Sequence, residues 1–284
     1  MATGERGTGS GASLPTASGL QVPIPGHTYA SFLASLDKPA RYAGGEVGAV
    51  GKPWDSVLAR ICLAFPDVFE VGMSHLGTRI LYGIINDDPR TLAERCFCPW
   101  LDLEAELRQR KLPLVSLESR RPLEEFDVVG FSLQFELTYS NVLTMLDLGG
   151  IPLRSADRGE ADPLVLAGGP TALHPEPVAS FFDAIVIGEG ERKLGEVARL
   201  WTEERARGVD RQGRLAALAQ LGAVYVPSAY PLVVDDSSGL ELVQPARDGR
   251  APLPVRRATV DLDEFPFPAS GPTGGPEAVF DRTS

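Results

Sequence analysis

The feature that most limits how this chain can fold is the run Asp127-Val-Val-Gly-Phe-Ser-Leu133, with two later echoes. These are Pro163-Leu-Val-Leu-Ala-Gly-Gly-Pro170 and Ala184-Ile-Val-Ile-Gly-Glu-Gly-Glu191. Each is a short apolar stretch that stops abruptly in Gly, Ser or Pro. Val, Ile and Leu without polar alternation suit strands buried on both faces, as in a parallel sheet. Small residues just past the carboxyl end let backbone approach a ligand closely. Three such endings predict the rim of an open parallel sheet, where ligands bind in the crevice beyond the strand ends.

The rest of the chain supplies helices to cover that sheet. Arg60–Pro66 reads as the first strand, followed by a loop over Asp67–Ser74. Ser74 is placed to cap a helix running to Asn86, in which Leu76, Ile80, Leu81, Ile84 and Ile85 recur at helical spacing. A second strand is predicted at Arg95–Trp100, then a helix capped by Asp102 with Leu103 and Leu107 on its apolar side, and an additional strand at Leu114–Leu117. A helix over Glu136–Leu148 has Phe135, Tyr139, Val142, Leu143 and Leu146 on one face and stops at Gly149-Gly150. Glu191–Arg207 reads as the helix after the fifth strand. Strand and helix in alternation mean right-handed crossovers and strand order 2-1-3-4-5. The fold class is α/β, a Rossmann-like, flavodoxin-like parallel sheet with helices on both faces and a small β-rich extension.

The extension begins near Gly208, with a helix at Arg211–Leu221 and strand-like pieces at Ala223–Ser228, Tyr230–Val234 and Gly239–Val243. The sequence divides into a disordered tail (1–25), a glycine-rich lead-in on the surface (26–59), the sheet domain (60–207), the extension (208–264) and a linker (265–284). The last residues, Ala278–Ser284, begin a further strand signal and then stop, so the chain reads as cut.

Composition removes several function classes. The net charge of −11 opposes bare electrostatic binding to nucleic acid or an anionic membrane. No apolar run approaches the ~20 residues that cross a bilayer, and the tail has no secretory core. Cys62, Cys96 and Cys98 make no disulfide framework, which points to a reduced cytoplasmic setting.

Several short segments together resemble one family. They are Asp67-Val-Phe-Glu-Val-Gly-Met-Ser-His-Leu-Gly77, Phe97-Cys-Pro-Trp100, Leu117-Glu-Ser119, Val128-Val-Gly-Phe-Ser-Leu-Gln134, Ala167-Gly-Gly-Pro170 and Ile187-Gly-Glu-Gly-Glu191. They look like the amino-terminal half of cobalamin-binding-domain radical SAM proteins, nearest the bacterial branch with the Glu-Val-Gly-Met-Ser-His-Leu-Gly signature. The resemblance runs from about Tyr42 to the end. It implies a cobalamin-binding-type domain whose cofactor tail lies against Ser132, Leu133, Gly168, Gly169, Pro170, Gly188, Glu189 and Gly190, with His75 nearby. It further implies a following radical SAM barrel as partner, whose Cys-x-x-x-Cys-x-x-Cys holds a 4Fe–4S cluster that reductively cleaves S-adenosylmethionine, with methyl transfer or another radical step on an unknown substrate. No such cysteine motif occurs in this sequence. The chain alone is therefore expected to hold no cluster and to carry no catalytic residue.

Other readings remain beside this one. Many cobalamin domains place a lower-ligand histidine in Asp-x-His-x-x-Gly, and here Phe69 stands at that position. His75 as a neutral imidazole could ligate a metal, though a helix-start histidine is more often a cap neighbour. Gly188-Glu-Gly-Glu191 lacks the third glycine of a dinucleotide fingerprint. Its acidic residues suit the positive end of a helix. His174 reads as a solvated loop residue, Asp67, Glu70 and Glu189 as carboxylates that could face one crevice, and Trp54 and Trp100 as packing. A degenerate scaffold for docking or substrate presentation, binding no cobalamin, is the alternative. A nucleotide-dependent transferase would need a phosphate-cradling loop after the first strand, where Pro66-Asp67 is a poor candidate.

Overall fold

Apolar runs with no polar alternation and helical repeats follow one another along the chain, and they fold as that alternation demands. The structure, a computed structural model, describes residues 26–244, 251–265 and 271–273; the tail at 1–25 and most of the linker at 265–284 lie outside the described residues. After a short helix α1 (Ala40–Ala43) come β1 (Ala59–Phe65), α2 (Phe69–Ser74), α3 (Leu76–Asp87) and β2 (Thr91–Phe97). Next are α4 (Leu101–Arg110), β3 (Val128–Ser132), α5 (Tyr139–Leu148), β4 (Leu164–Gly168) and β5 (Ala184–Val186). The chain continues through α6 (Lys193–Ala206), α7 (Arg211–Leu218) and β6 (Val224–Tyr225) to a hairpin of β7 (Leu232–Val234) and β8 (Glu241–Val243).

The sheet order is β2-β1-β3-β4-β5-β6. The first five strands are parallel, in the predicted 2-1-3-4-5 order, and β6 joins the edge antiparallel to β5. Reversal of direction at β1 puts helices on both faces, because each parallel crossover is right-handed. On one face α6 lies beside α3, with Gly195 against Ile85. On the other, α4 packs on α5. Helix α6 buries Leu194, Val197, Ala198, Trp201 and Thr202, the i, i+3, i+4, i+7, i+8 stripe of a core-facing helix. All residues of β2 and all but Arg60 of β1 are buried, which explains their lack of polar alternation. Among the described residues no helix is long and apolar enough to cross a membrane.

Several sequence expectations are corrected. The 67–74 loop is the helix α2. Ser74 lies inside it, and His75 rather than Ser74 caps α3, its imidazole accepting from the Thr78 N–H. The second strand starts earlier, at Thr91. Leu114–Leu117 forms only an isolated bridge between Val115 and Pro122. Glu136–Thr138 is a tight turn before α5, and Phe135 is exposed instead of joining that helix's apolar face. The lead-in is not merely a surface wrap, since Tyr29, Phe32, Leu33, Leu36 and Tyr42 are in the main core. Tyr29 is tied there by its hydroxyl, which donates to the Pro113 carbonyl and accepts from the Val115 N–H.

Several charged residues inside the body are paired. Asp183, immediately before β5, is fully buried. Its carboxylate accepts from Ser155 Oγ at 2.6 Å, Arg158 Nη1 at 3.0 Å, Arg211 Nη2 at 2.9 Å and the Val165 N–H at 2.7 Å. This cluster fixes where β5 starts against β4 and ties α7 to the sheet. Removing one member of a buried ionic group leaves the others desolvated without compensation. Asp183→Ala is expected to cost about 3–5 kcal/mol, read as a lower urea midpoint at unchanged m-value.

Candidate functional site

Residues on a strand alternate between faces, so the sheet register fixes what lines the space beneath α3 and α6. Leu63, Gly130 and Leu166 sit in one row, with Ser132 paired to Gly168 one step further. In this row Gly130 supplies no side chain between two leucines. An ideal Cβ there would reach no atom closer than 3.9 Å, that of Leu194 among them. The missing side chain opens a cleft of about 270 Å³ at the carboxyl ends of β1, β3, β4 and β5. Leu81 of α3 and Leu194 of α6 form its other wall.

The structure brings eight of the nine sequence-predicted residues to this cleft: Ser132, Gly168, Gly169, Pro170, Gly188, Glu189, Gly190 and His75. Leu133 does not face it. Its side chain is fully buried, its N–H donates to the Gly168 carbonyl at 2.7 Å, and its own carbonyl accepts from Thr171. The rationale for two glycines also changes. Gly169 has φ +110°, and a Cβ there would sit 2.6 Å from the Leu133 carbonyl oxygen. Gly188 has φ +100° and lies against the backbone of Ala258, which bridges to it. Both are required by backbone meeting backbone. Gly168 and Gly190 are different, since a Cβ at either would meet only ordinary contacts, at 3.9 Å and 3.6 Å. These two, with Gly130, leave space in the cleft.

His75 stands at the cleft beside Phe65, ring centroids 5.1 Å apart. Its Nδ1 accepts from the Thr78 N–H at 3.1 Å and lies 2.9 Å from Thr78 Oγ1. That bond leaves Nε2 carrying the proton of the neutral ring. Burial lowers its pKa, with a hydrogen bond to Gln134 pulling the other way. Ligating a metal through Nε2 would put the proton on Nδ1 and give up the bond from the Thr78 N–H, so the cap opposes a ligand role for His75. Gln134 Nε2 in turn donates to Ser132 Oγ at 2.8 Å.

Two carboxylates complete the site. Glu189 accepts from Arg257 at 2.7 Å. Glu191 lines the cleft, and its Oε2 is sealed from water with no hydrogen-bond partner. Among the described residues, no Lys or Arg lines the cleft.

The remaining candidates lie elsewhere. Glu70 does not share a crevice with Glu189; it is buried beneath Lys38 and Arg41. Burial pushes its carboxyl up, but those two cations hold it below the usual carboxylate range. Asp67 accepts from the Val68 N–H. Phe69, at the histidine position of the Asp-x-His-x-x-Gly pattern, is buried edge-on against Phe97. His174 is an exposed loop residue outside the cleft. Trp54 packs edge-on to Phe126, whereas Trp100 is half-exposed beneath Arg41. The three thiols are all buried, and burial pushes that of Cys98 up to about 12. Among the described residues no group of three or more His, Cys, Asp or Glu could hold a metal ion.

Sequence reasoning missed Gly130, Thr78, Leu81, Gln134 and Leu194 as lining residues. Gly130 carried a usable signal, because a glycine inside an apolar strand marks a close approach or a gap. Leu81 and Leu194 did not, since at helical spacing they look like any core leucine.

A family model described as radical SAM proteins, N-terminal, matches residues 77–227. Among solved structures, the chain is similar to the cobalamin-dependent S-adenosylmethionine radical enzyme OxsB with aqua-cobalamin and S-adenosylmethionine bound. The identity is 14% and the TM-score 0.36, over 69% of this chain and 24% of that one. A second is the radical S-adenosylmethionine methyltransferase TsrM from Kitasatospora setae with tryptophan substrate and a SAM analogue bound. There the identity is 13% and the TM-score 0.35, over 68% of this chain and 31% of that one. The chain thus spans less than a third of the length of either. No curated protein matches it.

Two expectations follow from the local geometry. Gly169→Ala is strained by positive φ and by the Leu133 carbonyl and is expected to lose about 1–3 kcal/mol, whereas Gly168→Ala leaves the urea midpoint nearly unchanged. The second concerns pH. Burial also lowers the pKa of His27, whose ring bonds the Tyr29 N–H and the Tyr42 carbonyl. With folded-state values below the unfolded one, the unfolded chain binds the extra protons, so stability falls as pH drops through the ordinary imidazole range. His75→Asn keeps a capping side chain and is expected to flatten part of that slope in a urea series against pH.

Proposed function

We propose, from the premise that this chain belongs to the family of N-terminal domains of radical SAM proteins, that it is a cobalamin-binding module whose cleft seats the nucleotide tail of the cofactor. The observation that carries this reading is the cleft itself. It lies where an open α/β sheet places its ligand, at the carboxyl ends of strands beside the switch in strand order, and three glycines leave it free of side chains.

The residues present fit such a group. A flat, apolar tail base suits a floor of Leu63, Gly130, Leu166 and Gly168 and a wall of Leu81 and Leu194. Ser132, Gln134 and Glu191 supply the few polar contacts that orient a ligand in an apolar pocket. His75 acts by holding the start of α3, and with it Thr78 and Leu81, against the cleft. The cofactor, when bound, supplies carriage of a methyl group. The chain's own part is to bind, to orient and to keep water from the buried end of the tail. Cleavage of S-adenosylmethionine belongs, on this reading, to a barrel with cluster cysteines that this sequence does not contain, so the chain contributes no catalytic residue.

A second reading, a scaffold that binds no corrinoid, is favoured by Gly169, Gly188 and His75, each of which the fold already uses. One experiment separates the two. The purified chain is incubated with hydroxocobalamin, gel-filtered and scanned in the visible range. Corrinoid absorbance is expected in the protein peak, and Gly130→Leu or Gly168→Val, which fill the cleft from positions without positive φ, are expected to remove it while unfolding like the parent. A colourless parent peak would leave the scaffold as the answer.

A further inference from the structure

The polar side chains on one side of the cleft form a relay whose direction is fixed at its start. The Thr78 N–H can only donate, so His75 Nδ1 receives it and the neutral ring carries its proton on Nε2. His75 also hydrogen-bonds Gln134, which meets an N–H with its amide oxygen. The amide nitrogen is left for Ser132, to whose Oγ it donates at 2.8 Å. A hydroxyl that accepts still has its own O–H to give, and an amide nitrogen has a second N–H. Among the described residues no acceptor takes either hydrogen. Ser132 and Gln134 are both partly exposed and both line the cleft, so a ligand there can reach them. The rest of the lining limits what these donors can receive. Leu63, Leu81, Leu166 and Leu194 make it apolar, and Glu189 and Glu191 are its charged side chains, with no Lys or Arg among the described residues. An anion would lose its hydration with no cation to replace it, and would lie beside like charge.

We propose that the cleft takes an uncharged, flat ring bearing a carbonyl acceptor, and that Ser132 and Gln134 hold that acceptor with their unused hydrogens. This goes beyond the cofactor reading above. It concerns any ligand of this chemistry, free of phosphate, and does not require that a corrinoid bind. A carbonyl oxygen has two lone pairs and accepts from two donors at once. The ring itself lies on the space that Gly130 and Gly168 leave open. A ring of the same shape without the acceptor cuts the two donors off from water and gives them nothing in return, and that loss is what selects. A ring that carries only an N–H adds a donor where donors already stand.

The test uses bicyclic rings of similar size on the intact chain: 1-indanone, indane, indole, indane-1-carboxylate and 1-aminoindane. Binding is followed by the amide shifts of Gly130 and Gly168 in nitrogen-15-labelled protein. 1-Indanone is expected to bind roughly 10-fold more tightly than indane or indole, and the carboxylate to give no shift. Ser132→Ala is expected to bring 1-indanone close to indane while indane itself is unchanged. Gly130→Leu is expected to abolish binding of both, with the amide spectrum showing that each variant is folded. Equal binding of 1-indanone and indane overturns the proposal, as does a preference for indole, the amine or the carboxylate, or binding that survives Gly130→Leu. Hydroxocobalamin retention is scored separately. A chain that holds the corrinoid and none of the five rings overturns the proposal and leaves the cofactor reading standing. A chain that selects 1-indanone and stays colourless supports the proposal and overturns the cofactor reading. Binding of neither overturns both.

Discussion

Everything at the functional end of this fold depends on one backbone contact, the seating of the β4 exit on the β3 exit. The Leu133 N–H donates to the Gly168 carbonyl, and the Leu133 carbonyl accepts from Thr171. Between them Gly169 passes so close to Leu133 that only a glycine fits. These contacts extend the strand ladder past its end. They bring two turns into register that would otherwise diverge, because strands in a sheet twist relative to one another. The β3–β4 side of the rim is therefore held by backbone bonds, and a preformed pocket spares the ordering cost that binding otherwise carries.

The strand order, the crossovers and the carboxyl-end rim were legible in the sequence because each rests on local signals of high contrast. Val128–Val129 and Leu164–Val165–Leu166 can only be core strands, and Gly-Gly-Pro can only end one. The meaning of each glycine was not legible. Gly168 and Gly169 are neighbours of identical type, yet one leaves space in the cleft while the other admits a backbone. Only the direction in which a Cβ would point separates them, and direction depends on φ and on a partner segment, Leu133, that is 36 residues from Gly169 in sequence. Leu133 illustrates the same limit, since one step along a strand exchanges a cleft-facing position for a core one.

The stretch from Asp67 to Gly77 shows a second kind of illegibility. Read locally it is too short and too mixed for a helix, and the sequence predicts a loop. What stabilises α2 is tertiary: Phe69 against Phe97, and Glu70 under Arg41 and Lys38 from the lead-in. The lead-in, with its glycines, suggested surface, yet it donates both those cations and the aromatic anchors Tyr29, Phe32 and Tyr42. Tertiary contacts overrode local propensity in both segments, and neither could be read without the other. In consequence the histidine position of the Asp-x-His-x-x-Gly pattern is here part of a packed helix with a buried phenylalanine.

That substitution bears on what the cleft can do. A protein imidazole below cobalt would fix the metal by a coordinate bond, and the tail would be an accessory anchor. With Phe69 buried and His75 capping α3, no imidazole among the described residues lines the cleft for ligation, so on the proposed reading the hold on a cofactor would fall to its tail. Binding must then come from apolar area and a few polar contacts at the buried end. The cleft is small, so apolar burial at about 25 cal/mol per Å² contributes a bounded share, and one well-made hydrogen bond is a sizeable fraction of the whole.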